Sequence, residues 1–243
     1  MVGIVNAMNL IDGIDGLAAG LSFMATCVFG VWFYLTGQVT LTIVSISVAG
    51  MLLAYLGFNV FGTTNKIFMG DTGSLLLGYL MTVFVIVMNQ QNIAVESPWY
   101  INNAPVISFG ILFIPLFDTL RVMSIRLMKG KSPFTADRNH IHHRILRLGF
   151  THGQTTLILM LTNGFFILTV FVMQNIEIHL LMLLVFSLGI IKSLIPAYVR
   201  KIWLARTPKI MLTYKNVNRT VPQSMQQHEA VIKIKPLSWV HNN

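Results

Sequence analysis

The chain has 243 residues, 54% of them hydrophobic and only 10% charged, with a mean hydropathy of +0.69 and a formal net charge of +9. Soluble domains of this length carry about a quarter charged residues, so composition excludes an ordinary water-soluble globule and points to a membrane solvent. The basic excess reads as topology and attraction to anionic lipid head groups, not nucleic-acid binding, because no basic and aromatic platform accompanies it; the single Cys27 excludes a disulfide framework or a cysteine metal site.

The first polar segment runs Asn6-Ala-Met-Asn9-Leu-Ile-Asp12-Gly-Ile-Asp15-Gly16-Leu17, with an amide or carboxylate at every third position. On a regular helix that spacing drifts around the axis, so only neighbours such as Asn6 and Asn9 share a face. Gly13 and Gly16 can relax the helix and let the four side chains converge. The plain alternative is a pair of Asx turns before a membrane helix.

Six apolar stretches follow: Leu17–Thr36, Leu41–Phe61, Ser74–Met88, Ala104–Met123, Thr156–Met173 and Leu180–Val199. Most approach the ~20 residues that a helix needs to cross a ~30 Å hydrocarbon core. The third is short unless its glycine-rich approach extends it. Backbone groups in lipid must be satisfied internally, so the stretches are helices, and the alternation that marks barrel strands is missing. The expected fold is all-α: a polytopic membrane protein with about six transmembrane helices and cytoplasmic active-site loops. Residues 1–200 form the transmembrane part and 201–243 a basic cytoplasmic tail, in which 231–235 alternate like a short strand.

Alternating connections put residues 1–16, 62–73, 124–155 and 200–243 on one side. All 17 Lys and Arg fall in or next to that set, counting Arg121 and Lys192 at the ends of their spans. The positive-inside rule makes this side cytoplasmic. All five Asp residues collect there too, which is the mark of a polar site at one membrane face.

The second polar segment, Asn65-Lys66-Ile67-Phe68-Met69-Gly70-Asp71-Thr72-Gly73-Ser74, precedes the third span. Asp71 suits a helix cap or a Mg²⁺ ligand, since magnesium takes one or two carboxylates, keeps waters and bridges phosphates. The third segment carries Asp118-Thr119 inside the fourth span, and Ser132-Pro-Phe-Thr-Ala-Asp137-Arg138-Asn139-His140-Ile141-His142-His143-Arg144 after it. An ionisable residue within a span is a functional candidate, with an ion pair to Arg121 or Arg126 as the bland reading of Asp118. The histidines could bind zinc, but the surrounding arginines and carboxylates favour an oxygen-rich phosphate site.

Together the three segments resemble the polyprenyl-phosphate N-acetylhexosamine-1-phosphate transferases, over residues from about Val5 to about Arg200. The SPFTADRNHIHHRILRLGF string is most similar to the branch that uses UDP-N-acetylglucosamine. The resemblance implies transfer of a sugar 1-phosphate from a UDP-N-acetylhexosamine to undecaprenyl phosphate, with release of UMP, at the inner face of a bacterial cytoplasmic membrane. It implies Mg²⁺, with Mn²⁺ as an alternative, held by Asp71 and Asn9. Asn6, Asp12 and Asp15 would line the nucleotide side, and Lys66, Asp137, Arg138, His140, His142 and His143 would hold the donor. Asp12, Asp15, Asp71, Asp118 and the three histidines are the expected catalytic set, Asp118 in a supporting role. Membrane lipids are expected partners, nucleic acid is not, and a homodimer is left open.

The family carries an adjacent aspartate pair in an earlier loop, and this chain has no Asp-Asp dipeptide. An N-terminally truncated chain is therefore expected, an inactive fragment being one reading, with little turnover until upstream helices are restored. An ion-coupled transporter and a zinc hydrolase are the readings from other classes.

Overall fold

The computed structural model describes residues 1–94, 98–133 and 139–206. Among these the ordered backbone is helical: α1 (Val2–Ile11), α2 (Leu17–Leu35), α3 (Val39–Val60), α4 (Gly70–Ala94), α5 (Ala104–Ile111), α6 (Phe113–Met128), α7 (Ile141–Leu146), α8 (His152–Val172) and α9 (Ile178–Arg206). Packing divides the chain into two units, Met1–Ser193 and Leu194–Asn243. The described part of the second is the remainder of α9. Asp137, Arg138 and the tail from residue 207, with its strand-like 231–235, lie outside the described residues.

Five helices are long and apolar enough to cross a membrane: α2, α3, α4, α8 and Ile178–Ile202 of α9. Counted as one bent span, α5 and α6 bring the number to six, in line with the all-helical expectation of about six spans. Four details extend or correct that expectation. The glycine-rich approach does lengthen the third span, since α4 starts at Gly70 and runs 25 residues. The first polar segment is not all loop: α1 extends to Ile11, so Asn6 and Asn9 stand on a helix while Asp12 and Asp15 stand in the turn after it. Lys192 lies well inside α9, its Nζ 3.9 Å from the Phe165 ring centroid, so one cation faces an aromatic ring at membrane depth.

The fourth difference is the broken fourth span. Helices α5 and α6 meet at Leu112 with an 86° bend. Pro115 has no N–H to give the Ile111 carbonyl four residues earlier, which opens the ladder there. Buried Asn163 of α8 repairs both sides: its Nδ2 donates to the Ile111 carbonyl at 2.9 Å, and its Oδ1 accepts from the Ile114 N–H at 3.0 Å. Gly110 lets α8 come this close, since a Cβ there would sit 2.6 Å from Val170. Phe113 stacks on Phe117 and Phe166 beside the break.

Helix α1 packs on α4 and α6, and α2 packs on α3, α4 and α8. Gly78 of α4 permits the first of these contacts: a Cβ there would lie 2.7 Å from the Val5 Cα. The small residue brings the C-terminal end of α1 against the N-terminal end of α4. That contact assembles the polar site.

Candidate active site

Asn9, on the last turn of α1, points at the first turn of α4. Its Nδ2 donates to Ser74 Oγ at 2.9 Å and to Asp71 Oδ1 at 3.4 Å. Asp71 is exposed, while Asn9 is half-buried. Asp12 follows α1 and is half-buried; burial and then the Asp71 charge push its carboxyl above the usual range. The two carboxylates are therefore close enough to repel each other. Asn6 sits one turn earlier on α1, exposed.

Asp15 belongs to an adjoining group. Its Oδ2 accepts from Lys66 Nζ at 2.7 Å and lies 3.1 Å from His152 Nδ1. Burial acts to raise its carboxyl, but the hydrogen bonds from Lys66 and His152 outweigh that and hold it below the usual range. Next in sequence, Gly16 takes a left-handed φ of 72° and donates its N–H to Asn59 Oδ1 at 2.6 Å. Asn59 also donates to the Ile67 carbonyl at 2.8 Å, so one amide on α3 joins the first polar segment to the second. Tyr55, one turn earlier on α3, is close enough to Asp12 and Asp15 to feel both charges, which makes the two groups neighbours.

The histidine segment is placed by Asp118. Its Oδ1 takes two hydrogen bonds from Arg121, at 2.6 and 3.2 Å, and its Oδ2 lies 2.9 Å from His140 Nδ1. Both oxygens also accept from the Ile141 N–H at 3.1 Å, at the start of α7. Arg121 ties the same loop down by donating to the Asn139 carbonyl at 2.6 Å. Asp118 is 2% exposed and fully engaged, so its carboxylate anchors α7. The sequence's two readings of it, support for the site and partner of Arg121, describe one arrangement.

With α7 fixed, His142 lies under the first polar segment. A Cβ at Gly13 would be 2.5 Å from His142 Nε2, so the glycine is the space the ring occupies. His142 is 1% exposed, and among the described residues neither ring nitrogen has a hydrogen-bond partner. Burial first, and then the charge of His143, push its pKa down to about 3. His143, half-buried, has its ring centroid 4.2 Å from that of His142, and His140 is 5.9 Å away on the other side.

Nearly all the expected site residues in the described parts are thus drawn into one neighbourhood. Asn59, Ser74, His152 and Thr156 were not singled out in the sequence. Asn59, a polar residue near the end of an apolar span, carried a legible signal; His152, an isolated histidine at a helix start, carried none. Among the described residues no three His, Cys, Asp or Glu side chains are placed to hold a metal by themselves.

Comparison with known proteins places this geometry. Residues 1–89 match the family model for glycosyl transferase family 4. A Bacillus subtilis protein called a probable undecaprenyl-phosphate N-acetylglucosaminyl 1-phosphate transferase is 36% identical over 196 residues, covering 80% of this chain and 52% of the relative. Undecaprenyl-phosphate alpha-N-acetylglucosaminyl 1-phosphate transferases of Yersinia pestis and Escherichia coli K12 are 39% and 38% identical over 159 residues, or 65% of this chain and 42% and 41% of theirs. The chain spans about half the length of the curated relatives it matches. No solved structure matches it. The chain thus matches glycosyl transferase family 4 at its N-terminal segment and is similar to these transferases over most of its length.

Proposed function

We propose that this chain carries the catalytic face of a phospho-N-acetylhexosamine transferase. It moves N-acetylglucosamine 1-phosphate, or a related N-acetylhexosamine 1-phosphate, from a UDP-sugar to undecaprenyl phosphate. The reaction takes place at the cytoplasmic face of a bacterial inner membrane and starts a cell-envelope polysaccharide. One observation carries the reading: segments far apart in the chain meet, Asn9 on Asp71 and Gly13 on His142. The relatives' names supply the substrate class.

A lipid phosphate oxygen bonds to the sugar-linked phosphorus of the donor, and the bond from that phosphorus to the UMP oxygen breaks. Such a transfer needs positioning and charge neutralisation more than covalent help. Lys66, with Asp15 behind it, presents a cation to the diphosphate. Neither His142 ring nitrogen has a hydrogen-bond partner among the described residues, and burial keeps the ring neutral, so it can donate from one and accept at the other.

The residues present fit a divalent cation. Asp71, Asp12 and the Asn9 amide supply hard oxygen donors, and burial followed by the nearby Asp71 charge raises the Asp12 carboxyl. With so few protein donors, Mg²⁺ or Mn²⁺ would keep waters and share the substrate phosphates. When bound, it would offset the repulsion between donor and acceptor phosphates.

The test is UMP release from UDP-N-acetylglucosamine by the chain extended to its relatives' length, in liposomes containing undecaprenyl phosphate and Mg²⁺. Asp71→Ala should lower the rate at least about 100-fold, the scale on which a charge-stabilising group contributes. Wild-type turnover by Asp71→Ala would reduce Asp71 to a helix cap, and absence of UMP release from the whole protein would end the transferase reading.

A further inference from the structure

Asp15 is gripped by one face of α8. His152 reaches its carboxylate, and Thr156 Oγ1, one turn on, donates to its backbone carbonyl at 2.7 Å. The start of α8 does not need His152. A capping box closes it: Thr151 Oγ1 accepts from the Gln154 N–H, and the Gln154 side chain accepts from the Thr151 N–H. Nor does the helix gain from a cation there, since its N-terminus is already the positive end.

Partly exposed pairs of this kind also add little to stability, and the His152 side chain is 48% exposed against 23% for Asp15. What His152 does control is one atom. Asp15 Oδ2, which it meets, is the same oxygen that holds Lys66 Nζ. In the same position the ammonium also lies 5.6 Å from the Phe68 ring centroid. With the carboxylate free to rotate, the ammonium would lose the oxygen that fixes it.

We propose that His152 is a positioning residue of the active site: from the first turn of α8 it locks the Asp15 carboxylate, and so fixes the point at which the Lys66 ammonium meets a nucleotide diphosphate. The identity of that ligand rests on the transferase reading; the lock itself does not.

The experiment takes the whole protein in lipid nanodiscs with His152→Ala, His152→Asn and Thr151→Ala. Its first readout is the rate at which an amine-specific acylating reagent modifies Lys66, followed by peptide mass spectrometry with no nucleotide present. His152→Ala should speed modification about five-fold, the factor carried by one exposed ion-pair partner. His152→Asn should restore the wild-type rate, because its amide can donate where Nδ1 stood. Thr151→Ala, which opens the capping box and keeps the histidine, should leave the rate unchanged.

The second readout is kinetic. His152→Ala should raise the KM for UDP-N-acetylglucosamine about five-fold with little change in kcat, the pattern of a lost ground-state contact. Unchanged Lys66 modification in His152→Ala, equal acceleration in Thr151→Ala, or no rescue by asparagine would each overturn the proposal. If the wild-type protein releases no UMP, the transferase reading falls while the modification rates still decide the lock.

Discussion

At Gly13 the missing side chain is the functional feature. The His142 ring fills the volume a Cβ would claim, 2.5 Å from Nε2. Gly13→Ala should displace the ring and lower UMP release about ten-fold or more, as a misplacement of about 1 Å does elsewhere. Circular dichroism should show unchanged helix content; full activity would mean that the ring has room to move without loss. The sequence offered His140, His142 and His143 as three equal candidates. Tertiary structure separates them: His140 pairs with Asp118, His142 is enclosed beneath Gly13, and His143 is half-buried. Nothing local could have sorted them, because the residue that encloses His142 lies in another segment. Asn9 and Asp71, by contrast, were expected together, but only through the family resemblance, since the residues alone left Asp71 open as a helix cap or a metal ligand.

Among the helices, the sequence located the spans well because their length and apolarity are set by the bilayer. It missed the break at Leu112, although Pro115 stood in plain view, because the repair comes from Asn163 in another helix. Proline inside a span is tolerated where a neighbour satisfies the freed groups. Asn163→Leu should therefore leave the Ile111 carbonyl and Ile114 N–H unanswered and destabilise the fold by about 2–4 kcal/mol. Thermal unfolding in detergent would read this as a lowered midpoint, with Asn163→Gln losing less. An unchanged midpoint would show that the break closes some other way. The bend also has a local result, since it directs α6 so that buried Asp118 and half-buried Arg121 meet the histidine segment.

For the molecule as a whole, acid sensitivity follows from His142. Its folded-state pKa, near 3, lies below its ordinary value of 6.5, so the unfolded chain binds the proton more readily. Stability is thus complete above about pH 6.5 and declines as pH falls toward 3. By pH 5 the loss attributable to this ring is about 2 kcal/mol. Asp12, raised in the fold, acts with the opposite sign, so the informative measurement is the difference between wild type and His142→Leu. The variant should melt with a shallower dependence between pH 7 and 5, and parallel curves would contradict the assignment.

The enclosed, unanswered imidazole has a further consequence. Burying two polar nitrogens that have no partner among the described residues costs roughly 1–3 kcal/mol, so His142→Leu should melt higher than the native protein at neutral pH while losing its chemistry. The interior is built with a deliberate fault, and whatever ligand reaches that ring and answers it mends the fault, stiffening the protein at the moment it is ready to act.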